Sequence, residues 1–308
     1  MKIFAIAALV AVSFSSAVSA AQKFGPLIDP ATLNTELTTN APLILDIRGE
    51  AYAKGHIPGA VSAPYGDFRG PKDNPGQLVP EAKLEARLQS LGVSYDRPIV
   101  VVHEGNTDSD FGAAARVYWT LKSSGLTQLA ILNGGMTEWG KAKLPLDTTT
   151  VIPTPSTIDI TFSRQWLADT DEVASVVEGQ TKGSLIDARP ASFFHGEKAH
   201  DAAARPGTLP GAANVVHSTW FKGGTKIVDA KDAASIAATL SLKPDEEIVS
   251  FCNTGHWAAT DWFAMSELAG LPNVKLYPES MVGYSKTDHE MANVPGLFQT
   301  LLRKVMGN

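Results

Sequence analysis

Short apolar runs alternate with longer, more polar stretches of helical character along most of this chain, and the series occurs twice. Leu43-Ile-Leu-Asp46-Ile-Arg48 in the first half has its counterpart in Ser184-Leu-Ile-Asp187-Ala-Arg189 in the second. Each reads as a strand that ends in Asp-x-Arg. Gly55-His-Ile-Pro-Gly-Ala60 and Gly207-Thr-Leu-Pro-Gly-Ala212 follow, and each is a turn at the head of a further strand. Pro98-Ile-Val-Val-Val102-His103 then matches Glu247-Ile-Val-Ser-Phe251-Cys252. Helical stretches come next and stop at Gly125-Leu126 and Gly270-Leu271, which are C-terminal cap signals. Another strand follows each, Leu129–Leu132 and Val274–Tyr277, and the copies close with Asn133-Gly-Gly-Met-Thr-Glu-Trp139 and Pro278-Glu-Ser-Met-Val-Gly-Tyr284.

Strand and helix in alternation predict the α/β class, a mostly parallel sheet with helices on both faces, here in two tandem copies. Pro145–Thr157 is rich in proline and threonine and reads as an extended connection. The expected organisation is an N-terminal domain over 21–147, a linker over 148–157 and a C-terminal domain over 158–308.

Residues 1–20 are set apart from the fold. Met1-Lys2 is a positive start, Ile3–Val12 is apolar, and Val18-Ser19-Ala20 offers small residues for cleavage. That is the form of an export signal peptide, too short in its apolar part for a span of about 20 residues. Export, most simply to the periplasm, is expected, with no membrane attachment after cleavage. The formal net charge of −6 argues against nucleic acid and anionic membranes as partners.

The composition holds one cysteine, Cys252, so no disulfide can form within the chain. A thiol kept in an oxidising compartment points to reactivity, with an inert buried thiol as the bland alternative. Cys252 ends an apolar strand, and Asn253-Thr-Gly-His256-Trp257 leads into a helical stretch, Ala258–Ala269. Unpaired N–H groups at such a helix start favour a thiolate over a thiol. Ligands of open α/β sheets also collect beyond the carboxyl ends of the strands, where Cys252 falls.

Taken together and in order, these motifs resemble the rhodanese family of sulfurtransferases in its tandem-domain form. The resemblance covers nearly all of the chain beyond residue 20. It implies two rhodanese-like domains, the first non-catalytic with His103 at the cysteine position, the second catalytic. It implies sulfur transfer: Cys252 takes the outer sulfur of a small anionic donor, thiosulfate first and 3-mercaptopyruvate next. The resulting persulfide passes the sulfur to cyanide, a thiol or a protein acceptor. The alternative is a sulfur carrier or thiol-binding protein without turnover.

In this scheme the backbone of Asn253, Thr254, Gly255, His256 and Trp257 cradles the persulfide, and Gly255 permits the turn. Arg189 and Arg205 are the expected donor-binding groups, because a guanidinium forks onto a sulfonate or carboxylate. Asp187 is structural support. His256 has two readings, an anion-binding cation when protonated or a cap for the loop; Trp257 either lines the pocket or packs.

Two length differences separate the copies. The stretch from His103 to Gly125 is longer than that from Cys252 to Gly270, and its loop carries Glu104, Asp108 and Asp110, expected to repel an anionic donor. The segment from Asp187 to Pro210, with His195, Lys198, His200 and Arg205, is longer than Asp46 to Pro58 and is expected to wall one side of the pocket. His195, His200 and His217 form no ligand pattern, so neither metal nor cofactor is expected. A cysteine phosphatase would need an arginine after the cysteine to clamp phosphate; Ala258 and Ala259 stand there instead.

Overall fold

The structure is a computed structural model, and it describes residues 24–243 and 245–296. Residues 1–20, where the sequence leads one to expect a leader, lie outside the described residues. Among the described residues, nine strands form two sheets. In the first, β1 (Leu27–Ile28), β2 (Leu43–Asp46), β3 (Val61–Ser62), β4 (Ile99–Val102) and β5 (Leu129–Leu132) stand in the order β1-β5-β4-β2-β3. In the second, β6 (Gly183–Asp187), β7 (Ala213–Asn214), β8 (Glu247–Phe251) and β9 (Val274–Leu276) stand in the order β7-β6-β8-β9. Every pairing is parallel. Where β1 flanks β5, a single parallel bridge from Leu167 to Leu276 flanks β9. The two copies therefore share one strand order, and the α/β expectation of two tandem parallel sheets holds.

The central strands of the first sheet, β2, β4 and β5, are apolar almost throughout and fully buried because both of their faces are covered. Leu43, Leu45, Ile99 and Val101 of the first sheet enter one core, which continues through Ile186 and Ile248 of the second. Their neighbours Ile44, Val100 and Val102 fill the opposite face of the first sheet, and Leu185, Val249 and Phe251 that of the second. The shared core runs between the domains. The helix Asp108–Ser123 of the first copy packs there on the helix Trp257–Phe263 of the second, with Phe111 and Tyr118 at 5.3 and 5.0 Å from the Phe263 ring. Cys252 belongs to this shared core.

Both Asp-x-Arg motifs stop their strands earlier than the apolar pattern predicts. The carboxylates of Asp46 and Asp187 take the backbone N–H of Arg48 and Arg189 at 3.1 and 3.0 Å, which turns the chain out of the sheet. The edge strand β1 carries too short an apolar signal to be predicted. The helix after Cys252 begins at Trp257 and passes at Ala264–Leu268 into a π turn.

Candidate active site

Cys252 sits at the carboxyl end of β8, 1% exposed, and opens into a cavity of about 230 Å³. Arg69, His200, Asn253, Thr254, His256 and Trp257 complete its lining. A volume below the roughly 300 Å³ of ordinary ligand pockets suits a substrate of a few heavy atoms. Larger cavities lie elsewhere, one of about 590 Å³ beside Phe24 and Glu36, away from the thiol of Cys252.

The loop is held from beneath by Ser280. Its hydroxyl accepts the N–H of Cys252 at 3.0 Å and of Gly255 at 3.1 Å, and donates to the Tyr277 carbonyl at 2.8 Å. Ser280 adopts a left-handed backbone, φ +52°, at the position where the first copy has Gly135 at φ +59°. The carbonyls of Cys252 and Asn253 accept from Met281 and Val282. Among the described residues, no protein acceptor meets the amides of Asn253, Thr254, His256 or Trp257. Four main-chain donors beside a buried sulfur can satisfy an anion there. Gly255 has φ +67°, and a Cβ on it would lie 2.4 Å from an Arg116 nitrogen and 2.6 Å from the Pro278 carbonyl, so no side chain fits.

The first copy supplies the other half of the site. Nε2 of His256 donates to the Ser109 carbonyl at 2.9 Å, which fixes the tautomer, and Nδ1 accepts from the Tyr65 hydroxyl at 3.1 Å. Burial first, and then the charge of Arg69, push this ring down to about 4, so it is neutral near pH 7. The geometry thus favours the loop-fixing role of His256 over the cationic one. Trp257 lines the cavity, donates to the Ser109 hydroxyl at 2.8 Å and stacks on His217 at 4.9 Å between ring centres. The close approach passes Gly112, where a Cβ would meet the His256 carbonyl at 2.8 Å.

Arg116, from the helix Asp108–Ser123, lies under the loop with its guanidinium on the carbonyls of Gly76 (3.0 Å) and Gly255 (3.4 Å). It is 1% exposed, and among the described residues its Nε has no acceptor and it forms no ion pair; Glu279 and Cys252 are the acidic groups that act on it together with Tyr65. Burial and then Arg69 push it down to about 9, which leaves it cationic at neutral pH.

The two expected donor-binding arginines are otherwise engaged. Arg189 is 2% exposed; its Nη2 meets Asp187 at 2.6 Å and the Gly207 carbonyl at 2.8 Å, and Nη1 reaches Asn253 Oδ1 at 3.3 Å. It braces the loop from outside the cavity lining. Asp187 also accepts the Thr208 hydroxyl at 2.7 Å, consistent with structural support. Arg205 donates to the carbonyls of Ser285, Thr287 and His289, and so pins the longer segment rather than entering the cavity. That segment does reach the cavity, through His200.

The acidic loop of the first copy also differs from expectation. Asp110 accepts the N–H groups of Asn106 and Thr107 and caps its helix, and Asp108 lies 3.8 Å from His217. Asp108 thus sits at the domain contact, Asp110 caps its own helix, and neither lines the cavity. His103, at the cysteine position, is buried and neutral, pushed down to about 4 by burial.

Sequence reasoning missed Arg69, Tyr65, Ser109, Arg116 and Ser280. Only Ser280 left a trace: it replaces, in an otherwise parallel motif, a glycine of the first copy.

Two tandem parallel α/β domains with a lone cysteine cradled at the end of a central strand define the class of this protein. The rhodanese-like domain family matches residues 29–142 and again 169–287, and the chain belongs to that family. It is 30% identical over 258 residues to a thiosulfate sulfurtransferase of Azotobacter vinelandii, covering 82% of this chain and 92% of the relative. It is 27% identical over 241 residues to the sulfur carrier protein TtuD of Thermus thermophilus, covering 74% and 82%. The crystal structure of the 3-mercaptopyruvate sulfotransferase SseA of Escherichia coli superposes with a TM-score of 0.71 at 25% identity, over 83% of this chain and 98% of that one.

Proposed function

We propose that this protein is a sulfurtransferase that moves a sulfane sulfur from a small anionic donor, thiosulfate in the first place, through a persulfide on Cys252. The observation that carries this is a buried cysteine that opens into a small cavity lined by its own loop, four of whose amides, at Asn253, Thr254, His256 and Trp257, have no acceptor among the described residues. The thiolate attacks the outer sulfur of thiosulfate. The new bond joins Sγ to that sulfur, the old sulfur–sulfur bond breaks, and its electron pair leaves with sulfite. The persulfide stays anionic, with Arg116 and the loop amides as its neighbours. Cyanide or a thiol then attacks the terminal sulfur, and the electron pair returns to Sγ as thiolate.

His256 takes no proton in this scheme. Its part is to fix the loop against Tyr65 and Ser109, so the first domain completes the site without a nucleophile of its own. The likeness to a sulfur carrier bears on the second half-reaction and makes a protein thiol a further candidate acceptor. Residues 1–20 support action outside the cytoplasm, most simply in the periplasm. Fractionation of producing cells, with N-terminal sequencing of the mature chain, tests that location.

The direct test of function is thiocyanate formation from thiosulfate and cyanide by the purified protein. Cys252→Ser abolishes it and leaves the fold intact. Turnover that survives the serine variant would end the proposal, and absence of turnover in the wild type alongside stable sulfur loading would favour the carrier.

A further inference from the structure

The cavity beside Cys252 needs a group to hold the charged end of a donor, and Arg189 and Arg205 are spent elsewhere. Arg116 lies behind the loop and not in the lining. Arg69 is in the lining, although it belongs to the first domain. Its Nη2 donates to the Thr254 carbonyl at 2.8 Å, and its guanidinium carbon stands 5.2 Å over the Tyr65 ring, so the fork is fixed in place. Its Nη1 is buried and has no acceptor. Among the described residues no carboxylate pairs with it: the nearby Asp67 is taken by Arg87, and Glu279 accepts from Asn74. A guanidinium with one arm anchored and a buried arm unmet is a receptor awaiting an oxyanion.

We infer that Arg69 binds the sulfonate or carboxylate of the sulfur donor, so that the non-catalytic domain supplies the donor receptor of the catalytic one. This rests on Cys252 being the sulfur-accepting nucleophile. The anion sits on Nη1 with its sulfane sulfur toward Sγ, and the departing sulfite keeps the same partner. The ligand class is a small oxyanion carrying a transferable sulfur.

Alkylation of Cys252 separates the receptor from the nucleophile. Iodoacetate and iodoacetamide both transfer a carbon to the thiolate and release iodide, but only iodoacetate carries a carboxylate. The full-length protein is first treated with cyanide to strip any bound sulfur. The expected result is that Arg69→Gln lowers the ratio of iodoacetate to iodoacetamide rates about tenfold, the size of one lost charge-assisted hydrogen bond. The iodoacetamide rate falls far less than the iodoacetate rate, and Arg69→Lys recovers part of the ratio. The KM for thiosulfate rises in parallel. An unchanged ratio in Arg69→Gln would overturn the inference. So would an equal fall in both rates, which would reduce Arg69 to a brace for Thr254. A wild-type Cys252 inert to both reagents until denatured would instead sink the nucleophile itself, and the receptor with it.

Discussion

Ser280→Ala is the sharpest test of how the loop is built. The hydroxyl is fully buried and makes three hydrogen bonds, two from the amides of Cys252 and Gly255 and one to the Tyr277 carbonyl. Alanine leaves two buried donors without an acceptor, at about 1–3 kcal/mol each. Some relaxation of the loop is expected, so the net loss is about 2–4 kcal/mol. The left-handed backbone at φ +52° costs a non-glycine residue about 1–2 kcal/mol, and alanine does not relieve it. Glycine does, so Ser280→Gly is expected to lose less than Ser280→Ala, by about that amount. Urea unfolding of the three proteins measures the order. The rate of sulfur loading from thiosulfate falls in both variants, since two amides are released to turn away from the shape that cradles the sulfur. An alanine variant as stable and as fast as the wild type would refute the claim that Ser280 sets the loop. A glycine variant less stable than alanine would refute the strain.

Two further outcomes follow from charge and burial. His256 and His103 are both neutral in the fold and held down to about 4, whereas each would take up a proton below about pH 6.5 once unfolded. The unfolded chain therefore binds more protons in acid. Stability is full above pH 6.5 and is lost as pH falls toward 4, by up to about 3 kcal/mol per ring. His256→Gln, which can still donate to Ser109, lowers that slope by about one proton in a series of urea midpoints; an unaltered slope would contradict a neutral His256. Arg116→Met removes a buried cation that has no ion-pair partner among the described residues. Its stability is expected to stay within about 1 kcal/mol of the wild type, because the lost hydrogen bonds are offset by the relief of a desolvated charge. Sulfur loading is expected to slow about tenfold or more, measured by stopped-flow tryptophan fluorescence. Unchanged loading would remove Arg116 from the account.

The fold was legible because both faces of the central strands are covered: the continuous apolar run Ile99–Val102 and the largely apolar Glu247–Phe251 stand out, and a duplicated order of motifs repeats the signal. Cys252 and its loop were legible for the same reason, as the end of one such run. The anion-binding arginines were not. Asp-x-Arg looks like a ligand site in sequence, yet an arginine two residues after a buried aspartate folds back onto it, as both Arg48 and Arg189 do. Arg69, Tyr65, Ser109 and Arg116 act across the domain contact. Nothing in the local pattern around Arg69 or Ser109 shows that the helix Asp108–Ser123 will meet the helix after Cys252. The acids of 104–110 were visible, but their charge suggested repulsion, and their geometry gives a helix cap and a neighbour for His217.

The central claim is that main-chain amides and a buried guanidinium let Cys252 hold a second sulfur as an anion. Intact-protein mass spectrometry after incubation with thiosulfate, followed by peptide mapping, tests it directly. The expected result is a gain of one sulfur atom on Cys252, lost on treatment with cyanide and absent in Cys252→Ser. A protein that turns over thiosulfate and cyanide while its mass never changes, or that carries the added sulfur anywhere else, would contradict the account.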